Sequence, residues 1–221
     1  MMVLSASLAC ARQLNIEADV EQLLMSGIVN MHIDIMDGHN VPNLCLNFYV
    51  VEELKNRFPQ TIIDAHLMVD APEQYVQKCK NSGVDWMIID PNTSDNLEQL
   101  LNEIRNIGMK PGIAINPDYC LDDFKDIMPY IDVVLIMSVV PGEKGRQFIN
   151  ETYSKIDKFL NYRKDNGLNY IIMIDGGIDK ANGRLCLNIG ADALVLGALA
   201  IFNQGVPISE ACSIYMLNLK S

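Results

Sequence analysis

The chemistry of this chain is concentrated in two histidines and two aspartates. Residues 31–43 read MHIDIMDGHNVPN, and His32, Asp34 and Met36 stand two apart inside an apolar run, so a strand there sends all three side chains out of one face. A histidine and a carboxylate on one strand face make half of a metal site. The turn formers that follow, Asp-Gly-His-Asn-Val-Pro-Asn, end the strand and put the pair at its carboxyl end. A second run, Thr-Ile-Ile-Asp-Ala-His-Leu-Met-Val, repeats the pattern with Asp64, His66 and Met68 on one face. A third ends in Asp175-Gly176-Gly177-Ile178, which places Asp175 at a strand tip. A lone strand histidine is ordinarily a core histidine bonded to a carbonyl. Two of the chain's three histidines inside strands, with Met36 four residues after His32 and Met68 two after His66 on the same faces, and with Asp34 and Asp175 at matching heights, point instead to a site. Two imidazoles and two carboxylates suit Zn²⁺, Fe²⁺, Mn²⁺ or Co²⁺, and residue types alone do not choose among them.

The elements that must position these residues follow from periodicity. Short apolar runs of β character begin near Val3, Asn30, Thr61, Asp85, Lys110, Asp132, Tyr170 and Asp192. Between them lie stretches of helical period at 16–26, 49–57, 72–81, 96–107, 121–128, 150–164, 180–188 and 208–219. Ala71-Pro72 and Ser94-Asp95 read as helix openings, and Gly27, Gly83, Gly108, Gly167 and Gly190 as helix ends. Strict β/α alternation implies a parallel sheet, and eight units in 221 residues imply one closed (β/α)8 barrel domain spanning 1–221. No Gly-x-Gly-x-x-Gly follows the first strand, which counts against a dinucleotide fold.

The net charge of −11 argues against nucleic acid and sets a repulsion that any anionic substrate must overcome locally. No apolar run is long enough to span a membrane, and the start of the chain lacks the basic segment of a signal peptide. The six cysteines are scattered without a Cys-x-x-Cys pair, so reduced thiols and a cytoplasmic location are expected.

The combination Ser5-Ala6-Ser7-Leu8, HIDIMDGHNVPN, Ala65-His66-Leu67-Met68-Val69, Met137-Ser138-Val139-Val140-Pro141-Gly142 and Asp175-Gly176-Gly177-Ile178 resembles ribulose-phosphate 3-epimerase, in collinear order over nearly the whole chain. The resemblance implies a (β/α)8 barrel and one divalent metal ion, Zn²⁺ first and Fe²⁺, Mn²⁺ or Co²⁺ otherwise, held by His32, Asp34, His66 and Asp175. Asp34 and Asp175 would be the acid and base, since inversion next to a ketone needs a proton carrier on each face of a planar enediolate. It further implies Met36, Met68 and Met137 lining the reaction centre and Ser7 and His66 contacting substrate. The phosphate would rest on turns that here contain Gly142, Lys144, Gly145, Gly176, Gly177, Gly197 and Ala198.

The chain departs from the family pattern at those turns. The family usually reads Pro-Gly-Phe-Gly-Gly-Gln after the sixth strand, and here the segment is Pro141-Gly142-Glu143-Lys144-Gly145-Arg146. Asp90-Pro91 stands where strand four normally ends in histidine. Lys144 and Arg146 offer charge in place of the lost glycine amides. The expected activity is interconversion of D-ribulose 5-phosphate and D-xylulose 5-phosphate, and the expected partners are a phosphorylated ketose and, from the family, further copies of the chain. The alternative within the family is D-allulose 6-phosphate to D-fructose 6-phosphate, favoured by Ser7-Leu8-Ala9-Cys10-Ala11 and Phe202-Asn203. The alternative of another class is a barrel that binds a sugar phosphate without catalysis.

Overall fold

A parallel strand covered on both faces needs near-continuous apolar sequence, and all eight apolar runs become such strands. In the computed structural model, which describes residues 2–142 and 146–220, they are β1 (Val3–Ser7), β2 (Asn30–Met36), β3 (Ile62–Met68), β4 (Trp86–Ile89), β5 (Lys110–Ile115), β6 (Val133–Met137), β7 (Ile171–Asp175) and β8 (Ala193–Leu196). They pair in sequence order, and β8 closes on β1 to complete a parallel barrel.

The connecting helices among the described residues are α1 (Ile16–Met25), α2 (Phe48–Arg57), α3 (Val76–Ser82), α4 (Leu97–Asn106), α5 (Thr152–Asp165), α6 (Lys180–Ile189) and α7 (Ile208–Lys220). Two stretches depart from the expected helices. Residues 72–81 split into a 3-10 turn over Pro72–Tyr75 and then α3. The segment Leu121–Tyr130 stays in 3-10 turns, because Pro129 has no N–H to give and disfavours helical geometry at Met128. The opening of α4 is also shifted: Asn96, not Ser94-Asp95, accepts from the Gln99 N–H.

Alternation splits the apolar residues into two bodies. Trp86, Ile88, Val133, Leu135, Met173 and Val195 fill the barrel interior, while residues such as Ile33, Leu67, Val134 and Ile172 pack outward beneath the helices. The interior is not apolar throughout: Ser5, Ser7, His32, Asp34, Asp64 and His66 are all buried on β1, β2 and β3. At the opposite end of the barrel, aspartates clip strands to their neighbours. Asp85 takes the Ile63 N–H at 2.8 Å and the Lys55 ammonium at 2.6 Å, and Asp192 takes the Ile172 N–H at 2.9 Å and the Arg163 guanidinium at 2.5 Å.

The α6–α7 contact depends on one glycine. A Cβ at Gly183 would sit 2.2 Å from Tyr215 Oη, whose hydroxyl donates to Asp179 O at 3.2 Å. Gly183→Ala is therefore expected to cost about 2 kcal/mol by overpacking. A thermal melt should show Tm lowered by roughly 4–8 °C.

Candidate active site

The strand register brings distant residues to one end of the barrel. Parallel pairing sets His32 beside Asp64, Asp34 beside His66, Met36 beside Met68, and Asp175 beside Met137. One ligand atom from each of His32, Asp34, His66 and Asp175 lies within 4.8 Å of all the others. His32 Nε2 is 3.3 Å from Asp34 Oδ1 and 3.7 Å from Asp175 Oδ2, and His66 Nδ1 is 3.6 Å from Asp34 Oδ1. Asp175 hangs from a fixed backbone: Ser138 donates its N–H to Asp175 O at 2.7 Å and its hydroxyl to Asp175 O and Gly176 O at 2.8 and 2.6 Å. The Ser7 hydroxyl donates to Asp34 Oδ2 at 3.1 Å.

His32 Nε2 and His66 Nδ1 are buried and form no hydrogen bond, although carboxylate oxygens face both. Buried imidazole nitrogens are ordinarily satisfied, and two left bare toward the Asp34 carboxylate, one of them also toward Asp175, make a donor set that could hold a cation. Charge points the same way. Asp64 is fully buried and Asp34 and Asp175 nearly so at the cavity floor, and three carboxylates crowded this closely are an expensive arrangement unless positive charge offsets them. The residues thus fit a divalent metal of mixed imidazole and carboxylate preference.

The two tip aspartates differ in their hold on a proton. Burial favours a neutral Asp34, but the adjacent His32, with His66, outweighs it and keeps the carboxyl well below its usual range. Burial pushes Asp175 up to about 6, with His32 opposing and the Asp34 charge adding. Burial also works against a charged His32, yet Asp34 and Asp64 raise it well above an ordinary imidazole. Below about pH 6 Asp34 is thus an anion while Asp175 retains a proton, an inequality of the kind that acid–base chemistry uses.

Above these groups opens a cavity of about 580 Å³. Ser7, Asp34, Met36, Met68, Met137 and Asp175 line its floor, and Gly142, Arg146, Gly176, Gly177, Gly197 and Ala198 stand on the wall beside β6, β7 and β8. Cys10, Gln13, Asn43, Leu44 and Cys45, from the loops after β1 and β2, complete the lining. Asn43 reaches across the mouth and donates its side-chain N–H to Gly142 O at 2.8 Å, joining positions 99 residues apart. A single such bond is worth about 1 kcal/mol, so Asn43→Ala is expected to raise KM roughly three- to tenfold. Steady-state kinetics should show kcat changing less than KM.

Residues 3–202 match the sequence model described as the ribulose-phosphate 3 epimerase family. The chain belongs to that family. It is 35% identical over 195 residues to the ribulose-phosphate 3-epimerase of Chlamydia pneumoniae, covering 87% of this chain and 82% of the relative. It is 33% identical over 204 residues to that of Synechocystis sp., covering 91% and 88%. Among solved structures, 3-hexulose-6-phosphate synthase from Salmonella typhimurium superposes with a TM-score of 0.73 at 12% identity, covering 99% of each chain, a likeness of fold. As a member of the epimerase family the chain is an isomerase of epimerase type.

The four residues that family resemblance assigned to a metal, His32, Asp34, His66 and Asp175, each bring a ligand atom within 4.8 Å of the others. The three methionines, Ser7 and the turn residues Gly142, Gly176, Gly177, Gly197 and Ala198 all reach the cavity wall. His66, also expected to contact substrate, is 1% exposed and lies beneath the floor. Lys144 and Gly145 lie outside the described residues. Asp90, at the end of β4, does not face the cavity. It accepts from Asn92 N–H, Asn116 Nδ2 and Tyr119 Oη and ties the ends of β4 and β5 together. Sequence reasoning gave no role to Asp64, which contacts His32 Nδ1, or to Cys10, Gln13 and Cys45 on the cavity wall. Asp64 carried a signal nonetheless, two residues before His66 on the same strand face.

Proposed function

We propose that the chain interconverts D-ribulose 5-phosphate and D-xylulose 5-phosphate by removing the C3 proton on one face and returning a proton on the other. Asp34 and Asp175 are the two proton carriers. They stand on β2 and β7, which are not neighbours in the barrel, and this supports a substrate lying across the mouth with C3 between them. The observation that carries the reading is their opposite tendency, Asp34 held as an anion and Asp175 holding a proton up to about pH 6, around a shared pair of unpartnered imidazole nitrogens.

His32, Asp34, His66 and Asp175 would hold one divalent metal, Zn²⁺ before Fe²⁺, Mn²⁺ or Co²⁺. When bound, such a cation supplies Lewis-acid stabilisation of negative charge developing on the substrate oxygens. Ser7 keeps Asp34 turned toward the cavity through its hydrogen bond to Oδ2. Met36, Met68 and Met137 exclude water above the carboxylates, which strengthens the charge interactions beneath them. The wall bearing Gly142, Gly176, Gly177, Gly197 and Ala198 receives the phosphate through backbone N–H groups. The family expectation of a homo-oligomer accompanies this reading. Among the described residues no helix is long and apolar enough to cross a membrane.

The test is exchange in D₂O. Metal-loaded protein is incubated with D-ribulose 5-phosphate and, separately, with D-fructose 6-phosphate, and NMR follows deuterium at C3 and the epimeric product. Exchange with inversion on the pentulose phosphate is the expected result. Inversion on the hexulose phosphate alone would assign the six-carbon substrate, and no exchange on either by metal-loaded protein would overturn the catalytic reading.

A further inference from the structure

We infer that Asp64, held in turn by Ser5, is a positioning residue that fixes the His32 ring with its proton on Nδ1 and its lone pair on Nε2, the form that can ligate a divalent cation. The inference rests on the metal reading given above and goes beyond it, because Asp64 is not among the four ligands and does not line the cavity.

Asp64 is fully buried inside the barrel, where an ionisable side chain costs several kcal/mol unless its oxygens are satisfied. Both are. Oδ2 accepts the Ser5 hydroxyl at 2.5 Å, and Oδ1 meets His32 Nδ1 in a short contact. Ser5 is likewise fully buried. These three residues sit on adjacent strands, and the pairing of His32 with Asp64 across β2 and β3 makes the contact a product of the barrel register.

The direction of the relay follows from hydrogen-bonding capacity. A carboxylate is an acceptor only, so Asp64 Oδ1 requires the proton on His32 Nδ1. In the neutral ring with its proton on Nδ1 the lone pair lies on Nε2, and it is Nε2 that stands bare toward Asp34 and Asp175. Ser5 can donate to Oδ2, which holds the carboxylate plane and keeps Oδ1 aimed at the ring. An amide in place of Asp64 can turn its NH₂ toward Nδ1. That would shift the ring proton to Nε2 and obstruct the ligand position.

The experiment titrates Zn²⁺ alone into metal-free wild type, Asp64→Asn, Ser5→Ala and the double variant, each checked for fold by circular dichroism. Histidine ¹⁵N NMR on the same samples reads the ring tautomer. Asp64→Asn should bind Zn²⁺ about 10- to 100-fold more weakly, and Ser5→Ala about three- to tenfold more weakly. Because Ser5 acts through Asp64, the double variant should bind no more weakly than Asp64→Asn. Zn²⁺-loaded wild type should carry the His32 proton on Nδ1, and metal-free Asp64→Asn should move proton occupancy to Nε2. Unchanged affinity and tautomer in folded Asp64→Asn would overturn the inference and leave the metal reading standing, and so, should Asp64→Asn fail to fold, would unchanged affinity in Ser5→Ala. Absence of Zn²⁺ binding by the wild type would overturn the metal reading and the inference with it.

Discussion

Asp34→Asn and Asp175→Asn are each expected to reduce kcat for C3 epimerisation by a thousandfold or more while the barrel stays folded. General acid–base catalysis by one positioned group is worth roughly 10²- to 10⁴-fold, and each aspartate is also a proposed metal ligand, so the losses compound. The fold should survive because neither side chain is part of the apolar packing, and an amide fills nearly the same volume. Removing a buried carboxylate also lessens the crowding of negative charge in the interior. The two variants need not look alike in D₂O. With one carrier intact, a proton can still leave one face of the ketose and return to that face, so isotope exchange without inversion can outlast epimerisation. Normal turnover in either variant would sink the two-aspartate assignment.

The pair has a physical logic that one aspartate could not supply. Inversion without a redox cofactor requires a base on one side of the carbon and an acid on the other, and each turnover leaves the two groups with exchanged protons. The carriers must therefore be similar in kind and held unequal by their surroundings. His32 and His66 hold Asp34 ionised, and burial leaves Asp175 with its proton to about pH 6. Protons in so tightly coupled a group belong to the cluster as well as to single residues, and a bound dication lowers the affinity of both carboxyls for them.

What was legible in the sequence depended on how local the signal was. Alternation within β2 and β3 put His32, Asp34 and His66 on inward faces, and the Asp-Gly-Gly turn put Asp175 at the tip of β7. Strand order and closure follow from strict β/α alternation. The unread side-chain contacts of the site are long-range. Ser5 and Asp64 are 59 residues apart, and Asn43 and Gly142 are 99 apart, so each contact exists only once the barrel has closed and its register is set. Helix details failed where a residue acted through backbone chemistry, as Pro129 does in holding Leu121–Tyr130 in 3-10 turns. Asp90 was conspicuous in sequence as a departure from a family histidine. Its side chain turned out to serve the β4–β5 junction, which leaves the opposite side of the mouth to shape the substrate site.

Metal removal should have the second large effect, and its pH dependence follows from the same groups. Stripping the protein with a chelator is expected to lower kcat roughly a thousandfold, since Lewis-acid stabilisation of the developing charge is worth several kcal/mol. Zn²⁺ or Mn²⁺ should restore it. The ligand atoms must lose protons to bind: Asp175, raised to about 6 in the metal-free protein, and His32, raised well above an ordinary imidazole by Asp34 and Asp64. Because both shifts are upward, protons compete with the cation on the acid side, and affinity must fall as pH drops. Below about pH 6 the Asp175 proton alone weakens binding about tenfold per pH unit, and the His32 proton, raised by Asp34 and Asp64 against burial, adds to that loss and extends it to higher pH. Competition against a chromophoric chelator between about pH 5 and pH 8 measures this directly, with calorimetry in two buffers counting the protons released on binding. An affinity that stays flat across that range would mean the cation does not displace those protons, and would remove His32 and Asp175 from the ligand set.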